Sequence, residues 1–216
     1  TLSKSGINLR LIATSEVKVS CVINSDVSSK ALRSVSEAFE LNEKQIELNP
    51  PVTGDGEPEV RGVALDPNQA QVSVINVPDV PGTAATLCRS LAEANICLDT
   101  IVQSERRHIK GGRNISFTMN RNDRKNADYA LKKLLQSWPG AELMDGPAIS
   151  RISAVGAGMP ATAGTAGRIF RAIANEGINI EMIATSEIRT SCIVSEKDGI
   201  NALKAVHSYF KLNEKR

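Results

Sequence analysis

The segment Gly177-Ile178-Asn179-Ile180-Glu181-Met182-Ile183-Ala184-Thr185-Ser186-Glu187 is written a second time near the start of the chain, as Gly6-Ile7-Asn8-Leu9-Arg10-Leu11-Ile12-Ala13-Thr14-Ser15-Glu16. Laying residues 1–45 on 172–216 extends the match to 18 identities in 45 positions, among them Ser20-Cys21 and Leu41-Asn42-Glu43-Lys44. Self-similarity at a fixed offset marks a repeated supersecondary unit. A fainter copy lies between these two: Gly82-Thr83-Ala84, Leu91, Ile96 and Ile101 precede Gly164-Thr165-Ala166, Ile173, Ile178 and Ile183 by 82 residues. The module is therefore about 80 residues long, and the function must be one that tandem modules can perform.

Hydrophobic periodicity gives each module its elements. In the middle copy, Val72–Val77 reads as a strand and Gly82–Ala94 as a helix with Leu87, Leu91 and Ala94 on one face. Strands follow at Leu98–Ser104 and Asn114–Asn120, where Ile115, Phe117 and Met119 alternate with polar residues. A helix over Arg124–Ser137 stops at Pro139-Gly140, and Glu142–Met144 closes the unit. The last copy repeats the order with a strand at Ile149–Val155, a helix at Gly164–Glu176, strands at Ile180–Ser186 and Arg189–Val194, and a helix at Asp198–Phe210. The fold class is α+β, with tandem ferredoxin-like βαββαβ domains packed side by side.

The expected domains are a partial one at 1–48, a linker at 49–59, and full ones at 60–146 and 147–216. The first copy opens in mid-helix, so the chain is expected to be the C-terminal part of something longer. The last copy runs out before a fourth strand, and Val60–Leu65 is the candidate lender. Modules this small usually gain stability by pairing.

A net charge of +2 points to neither nucleic acid nor membrane as a partner, and no apolar run has spanning length. Cys21, Cys88, Cys97 and Cys192 show no CxxC spacing, and buried reduced thiols explain them better than metal or disulfide. His108 and His207 have no acidic or thiol neighbour at ligand spacing and read as ordinary surface or helix residues.

The loop Val77-Pro78-Asp79-Val80-Pro81-Gly82-Thr83-Ala84 places a carboxylate and a rigid turn before a helix N-terminus. Amides of a first helical turn have no intrahelical acceptor and can hold an anion. A zwitterionic amino acid suits such a place, with its carboxylate on the amides near Gly82, Thr83 and Ala84 and its ammonium near Asp79. Asp79 acting only as a helix cap is an equally open reading.

Together with this loop, Gly62-Val63-Ala64-Leu65-Asp66, Ile101-Val102-Gln103, Val155-Gly156-Ala157-Gly158-Met159 and Gly177-Ile178-Asn179-Ile180 resemble, in order, the ACT-domain regulatory region of aspartate kinase. That resemblance implies a module that binds lysine, threonine or both and inhibits an attached kinase. It further implies an effector pocket shared by two ACT domains, with Asp79, Gly82, Thr83, Ala84 and Gln103 from the middle copy and Asn179 and Ile180 from the last. Cys97 stands at the Asn179 position of the middle copy, and Ala161 and Thr185 stand at the Asp79 and Gln103 positions of the last, so one competent pocket is expected rather than two.

The resemblance implies no catalytic residue and no cofactor in this chain; ATP and magnesium would belong to the kinase domain that is not part of it. It also implies homo-oligomerisation through ACT domains and a cytoplasmic or plastid location. The alternatives are an ACT-type sensor of another amino-acid enzyme and a structural dimerisation module without ligand.

Two segments imitate other sites. Gly156-Ala157-Gly158-Met159-Pro160-Ala161 follows a strand as a dinucleotide-binding loop would, but Pro160 and the delayed helix spoil the tight turn. Arg106-Arg107-His108-Ile109-Lys110-Gly111-Gly112-Arg113 is basic but falls between two strands and reads as a solvated hairpin loop, with anion contact as the lesser alternative. The βαββαβ order is also that of RNA-recognition modules, which stack bases on strand aromatics. Aromatics are 3% of this chain, and Phe117 is the only one in a middle-copy strand, which sets the RNA reading aside.

Overall fold

The computed structural model describes residues 1–15, 18–42, 56–103 and 112–213. In chain order the elements are β1 (Leu11–Ser15), β2 (Lys18–Val22), α1 (Ser28–Ala38), β3 (Gly62–Val77), α2 (Thr83–Glu93), β4 (Leu98–Gln103), β5 (Arg113–Asn120), α3 (Arg124–Leu135), β6 (Glu142–Val155), α4 (Thr165–Asn175), β7 (Met182–Thr185), β8 (Arg189–Ser195) and α5 (Gly199–Tyr209). They fall into two compact units, the first made of Thr1–Pro50 and Gln71–Gly146 and the second of Pro51–Ala70 and Pro147–Arg216. Two of the three divisions lie inside a strand, 70/71 in β3 and 146/147 in β6, and the third, 50/51, lies outside the described residues.

In the first unit the strands neighbour one another in the order β2-β1-β4-β5-β3. The hairpin of the first copy, β1 with β2, joins the middle copy where Ala13 faces Val102 and the Ile101 amide donates to Thr14 Oγ1 at 2.7 Å. Alternation along β5 turns Ile115, Phe117 and Met119 to one face, and all three are buried, as a period of two dictates. Leu87 and Leu91 of α2 and Ala127 and Leu131 of α3 are buried too, and the two helices pack against each other. Phe117 is wholly covered, so it offers no surface on which a base could stack.

The second unit is built around antiparallel β6 and β8, registered from Ile149↔Ser195 to Val155↔Arg189, with β7 on the far side of β8. Ile169 and Ile173 of α4 and Ala202 and Val206 of α5 pack on Ile152, Cys192 and Val194. The strand missing from the last copy comes from the start of β3. Val60, just ahead of it, is fully buried in this core, Val63 and Leu65 pack against it, and the Arg61 amide donates to Val155 O at 2.7 Å. Full burial of one such valine contributes about 1.5–3 kcal/mol.

Two pairs of short strands expected from the sequence are each one long strand. Val60–Leu65 and Val72–Val77 merge into β3, and Glu142–Met144 merges with Ile149–Val155 into β6. Pro67 supplies no N–H to a ladder, and Asp66 compensates locally. Its carboxylate accepts from the Asn68 amide at 3.0 Å, from Gln69 Nε2 at 2.8 Å and from Arg151 at 3.2 Å. In β6 the bare Cα of Gly146 lets the backbone of Gln71 pass, since a Cβ there would sit 2.8 Å from Gln71 O.

The cysteines need a correction. Cys192 is buried and burial pushes its thiol pKa up to about 12, but Cys88 is only half-buried, and Cys21 and Cys97 are exposed. All four are unpaired thiols. No helix among the described residues is long and apolar enough to cross a membrane, and no group of three His, Cys, Asp or Glu there could hold a metal ion. His207 is half-buried on α5, while His108 lies outside the described residues.

Candidate functional site

The turn into α2 is set by Gly82, its N-cap, at a φ of 105° that side chains rarely adopt. Thr83, the first helical residue, donates its hydroxyl to Pro78 O at 2.8 Å, which folds the loop back on itself and presents Asp79. A Cβ on Gly82 would come within 2.8 Å of Ser3 Oγ, so glycine also permits close approach of the first copy.

Asp79 is held from two sides. Asn8 Nδ2 donates to its Oδ1 at 3.0 Å, and Arg113 Nε meets the same oxygen at 2.6 Å. The Asp79 and Arg113 side chains are only 8% and 7% exposed, so this ion pair is screened little by water. Arg113 also donates through Nη1 to the carbonyl of Arg10, and Gln103, buried at the end of β4, donates from Nε2 to Leu9 O at 3.2 Å. The Asn8–Arg10 segment is thus tied to the middle copy, by Asp79 at the Asn8 side chain and by Gln103 and Arg113 at the carbonyls of Leu9 and Arg10.

Around this cluster lies a cavity of about 430 Å³. Small-molecule sites typically span about 300–1,000 Å³. Ile7, Val19, Val35, Phe39, Val77 and Ile115 give it apolar walls, and Asn8, Asp79, Thr83, Gln103 and Arg113 give it polar points. Among its described lining residues Asp79 has the one carboxylate side chain and Arg113 the one cationic side chain. Cys21 also lines it; the residue as a whole is exposed, but its thiol is partly covered at the cavity, which pushes the pKa up.

Of the residues singled out from the sequence, Asp79, Gly82, Thr83, Ala84 and Gln103 all line this one cavity. Asn179 and Ile180 belong to the second unit. There Asn179 is exposed and donates to Glu181 at 3.2 Å, and Ile180 packs on the core of its own unit. Asp79 and Gln103 instead bond the repeat counterparts of those two residues, Asn8 and Leu9, with Arg113 as a second partner of Asp79. The signal for Asn8 and Leu9 was already in the repeated Gly-Ile-Asn, which places Asn8 at the same position of its copy as Asn179.

Arg113 had no such signal. It closes a basic stretch that reads as solvated, yet it is buried against Asp79, a correction the sequence did not foreshadow. Residues 106–111 of that stretch lie outside the described residues.

The corresponding place in the second unit is built differently. Gly164 is again the N-cap, here of α4, but the carboxylate beside it comes from Glu59. This accepts from Thr165 Oγ1 at 2.8 Å and pairs with Arg168. Gly156 and Gly158, which imitate a phosphate-binding loop, have a steric reason instead. The backbone of Glu57, Pro58 and Glu59 passes so close that a Cβ at either position would collide with it, and the Gly158 amide donates to Pro58 O at 3.1 Å.

The chain matches the ACT domain family over residues 1–39 and 152–210. It is 39% identical over 155 residues to the aspartokinase of Thermus thermophilus, a match covering 72% of this chain and 38% of that protein. Among solved structures, the regulatory subunit of aspartate kinase from Thermus flavus shares 40% identity at a TM-score of 0.64, over 70% of this chain and 98% of that one. The aspartate kinase from Synechocystis shares 45% identity at a TM-score of 0.89, over 100% of this chain and 36% of that one. The chain therefore spans well under half the length of the full-length kinases it matches.

Proposed function

Since this chain belongs to the aspartate kinase family, as part of its ACT-domain regulatory region, we propose that the cavity beside Asp79 is an effector site for an end-product amino acid, lysine or threonine. Occupancy would inhibit an attached kinase domain that phosphorylates L-aspartate with ATP and magnesium. Pairing of chains through these modules is part of the same reading.

The observation that carries the proposal is the joining, in one cavity, of a buried carboxylate at Asp79 with the N-terminus of α2 at Gly82, Thr83 and Ala84. An α-amino acid presents the complementary pair, an ammonium for the carboxylate and a carboxylate for the helix amides.

Inhibition needs only that the effector prefer one conformation of the module. A coupling of about 1–3 kcal/mol already alters activity about 5- to 150-fold. The test is calorimetric titration of the chain with threonine and with lysine, using Gln103→Ala as the comparison. Saturable binding that weakens in the variant supports the reading. Affinity unchanged by Gln103→Ala would remove the cavity from consideration, and no binding of either amino acid would leave a structural module.

A further inference from the structure

The ion pair between Asp79 and Arg113 is in the cavity wall, and its two charges are those a zwitterion would complement. On the effector-site reading, on which this step rests, we propose that the Asp79–Arg113 pair is the receptor for the zwitterionic head of the amino acid. Arg113 then shares the ligand's α-carboxylate with the first-turn amides of α2.

An ammonium approaching Asp79 alone would also approach Arg113, whose Nε lies 2.6 Å from the same carboxylate oxygen, and like charges at such range repel strongly where water is scarce. A zwitterion escapes this, since its ammonium takes Asp79 while its carboxylate takes the guanidinium. Two cross-paired contacts replace one internal pair, and no net charge is added to a low-dielectric site.

The guanidinium is suited to the exchange. It is planar, permanently charged and carries five N–H donors in a fork that fits a carboxylate. Its Nη1 is anchored on Arg10 O, which fixes one edge of the group in place while its partner at Asp79 changes. Without ligand the pair closes on itself, so neither charge is buried alone.

The reading separates a ligand contact from a structural prop, because only the former depends on the ligand's own charge. The experiment titrates the intact chain by calorimetry with the tighter binder of L-threonine and L-lysine, and with the α-carboxamide of the same amino acid. The wild type is compared with Arg113→Met and, should that variant fail to fold, with Asp79→Asn/Arg113→Met, which leaves no uncompensated charge.

The wild type is expected to favour the carboxylate ligand by about 10- to 100-fold, the worth of a charge-assisted hydrogen bond. Loss of Arg113 should cut that preference down to what the first-turn amides of α2 supply, by weakening the carboxylate ligand while leaving the carboxamide nearly unchanged. Equal weakening of both would show that Arg113 only supports the wall, and would overturn this inference while leaving the effector site intact. Failure of the wild type to bind either amino acid would overturn the effector reading itself.

Discussion

Asn8 and Asp79 are 71 residues apart in sequence and bonded at 3.0 Å, the amide of the first copy donating to the carboxylate of the middle one. That bond is the most direct sign that the repeated Gly-Ile-Asn is used in partnership with another copy's loop.

It gives the first prediction. Asn8→Ala removes a donor from a buried carboxylate and should cost about 1–3 kcal/mol, with effector affinity falling about 5- to 100-fold. Asn179→Ala, its counterpart by repeat, changes an exposed side chain and should stay within about 0.5 kcal/mol in stability. Thermal melts and calorimetry on both variants decide it; equal effects at the two positions would contradict the assignment of Asn8.

Backbone strain separates the two helix starts in the same way. Gly82 and Gly164 both hold positive φ, at 105° and 85°. Replacing either by alanine should destabilise by about 1–2 kcal/mol for the left-handed conformation. Only Gly82→Ala also presses on Ser3 at the cavity, so it alone should weaken effector binding. A Gly82→Ala protein that binds as tightly as the wild type would show that the Ser3 contact does not bound the ligand.

In the second unit, Glu59→Gln keeps the shape of the side chain and removes its charge beside Arg168 and Thr165. The pair is partly exposed, at 26% and 35%, so the loss should be about 0.5–1 kcal/mol. It should shrink in 1 M salt, where the Debye length falls to about 3 Å. Urea melts at two ionic strengths measure it, and a salt-independent loss would assign the effect to packing.

Thiol chemistry supplies a pH test. Alkylation at pH 8 should modify exposed Cys97 readily. Cys21 should react more slowly, because burial raises its pKa and leaves less thiolate, and it should be shielded further by bound effector. Cys192, at about 12 against an ordinary 9.0, should react only on unfolding. Its raised folded pKa means that the unfolded chain sheds the proton first. Its contribution to stability is whole below pH 9.0 and is lost as pH climbs from there towards 12. Mass spectrometry of alkylated peptides and melts across that range test both statements.

Much of this was legible in the sequence because helices and alternating strands announce themselves by period. The stripe of Leu87 and Leu91 and the alternation of Ile115, Phe117 and Met119 predicted their burial directly. What was not legible depended on partners distant in sequence. Pro67 and Gly146-Pro147 look like breaks, yet the Asp66 carboxylate at one and the passing Gln71 backbone at the other carry the strand through. Arg113 sits at the end of a basic run, and nothing local shows that Asp79 neutralises it. Cys21 and Cys97 read as small hydrophobes, because composition does not reveal which face of a strand or loop will remain uncovered.

The long strand β3 has a consequence for how such a protein can be taken apart or assembled in evolution. Its first residues complete the core of one unit and its last residues lead into the Asp79 loop of the other. A fragment started at residue 60 would therefore lose Ser3, Asn8 and Leu9 from the cavity, and one started at residue 147 would lose Val60 from its own core. What the gene duplicated and what the polypeptide folds are different segments. Recombination at repeat boundaries would exchange halves of folding units rather than whole ones, and inheritance would be tolerated only where the interleaved piece travels with it.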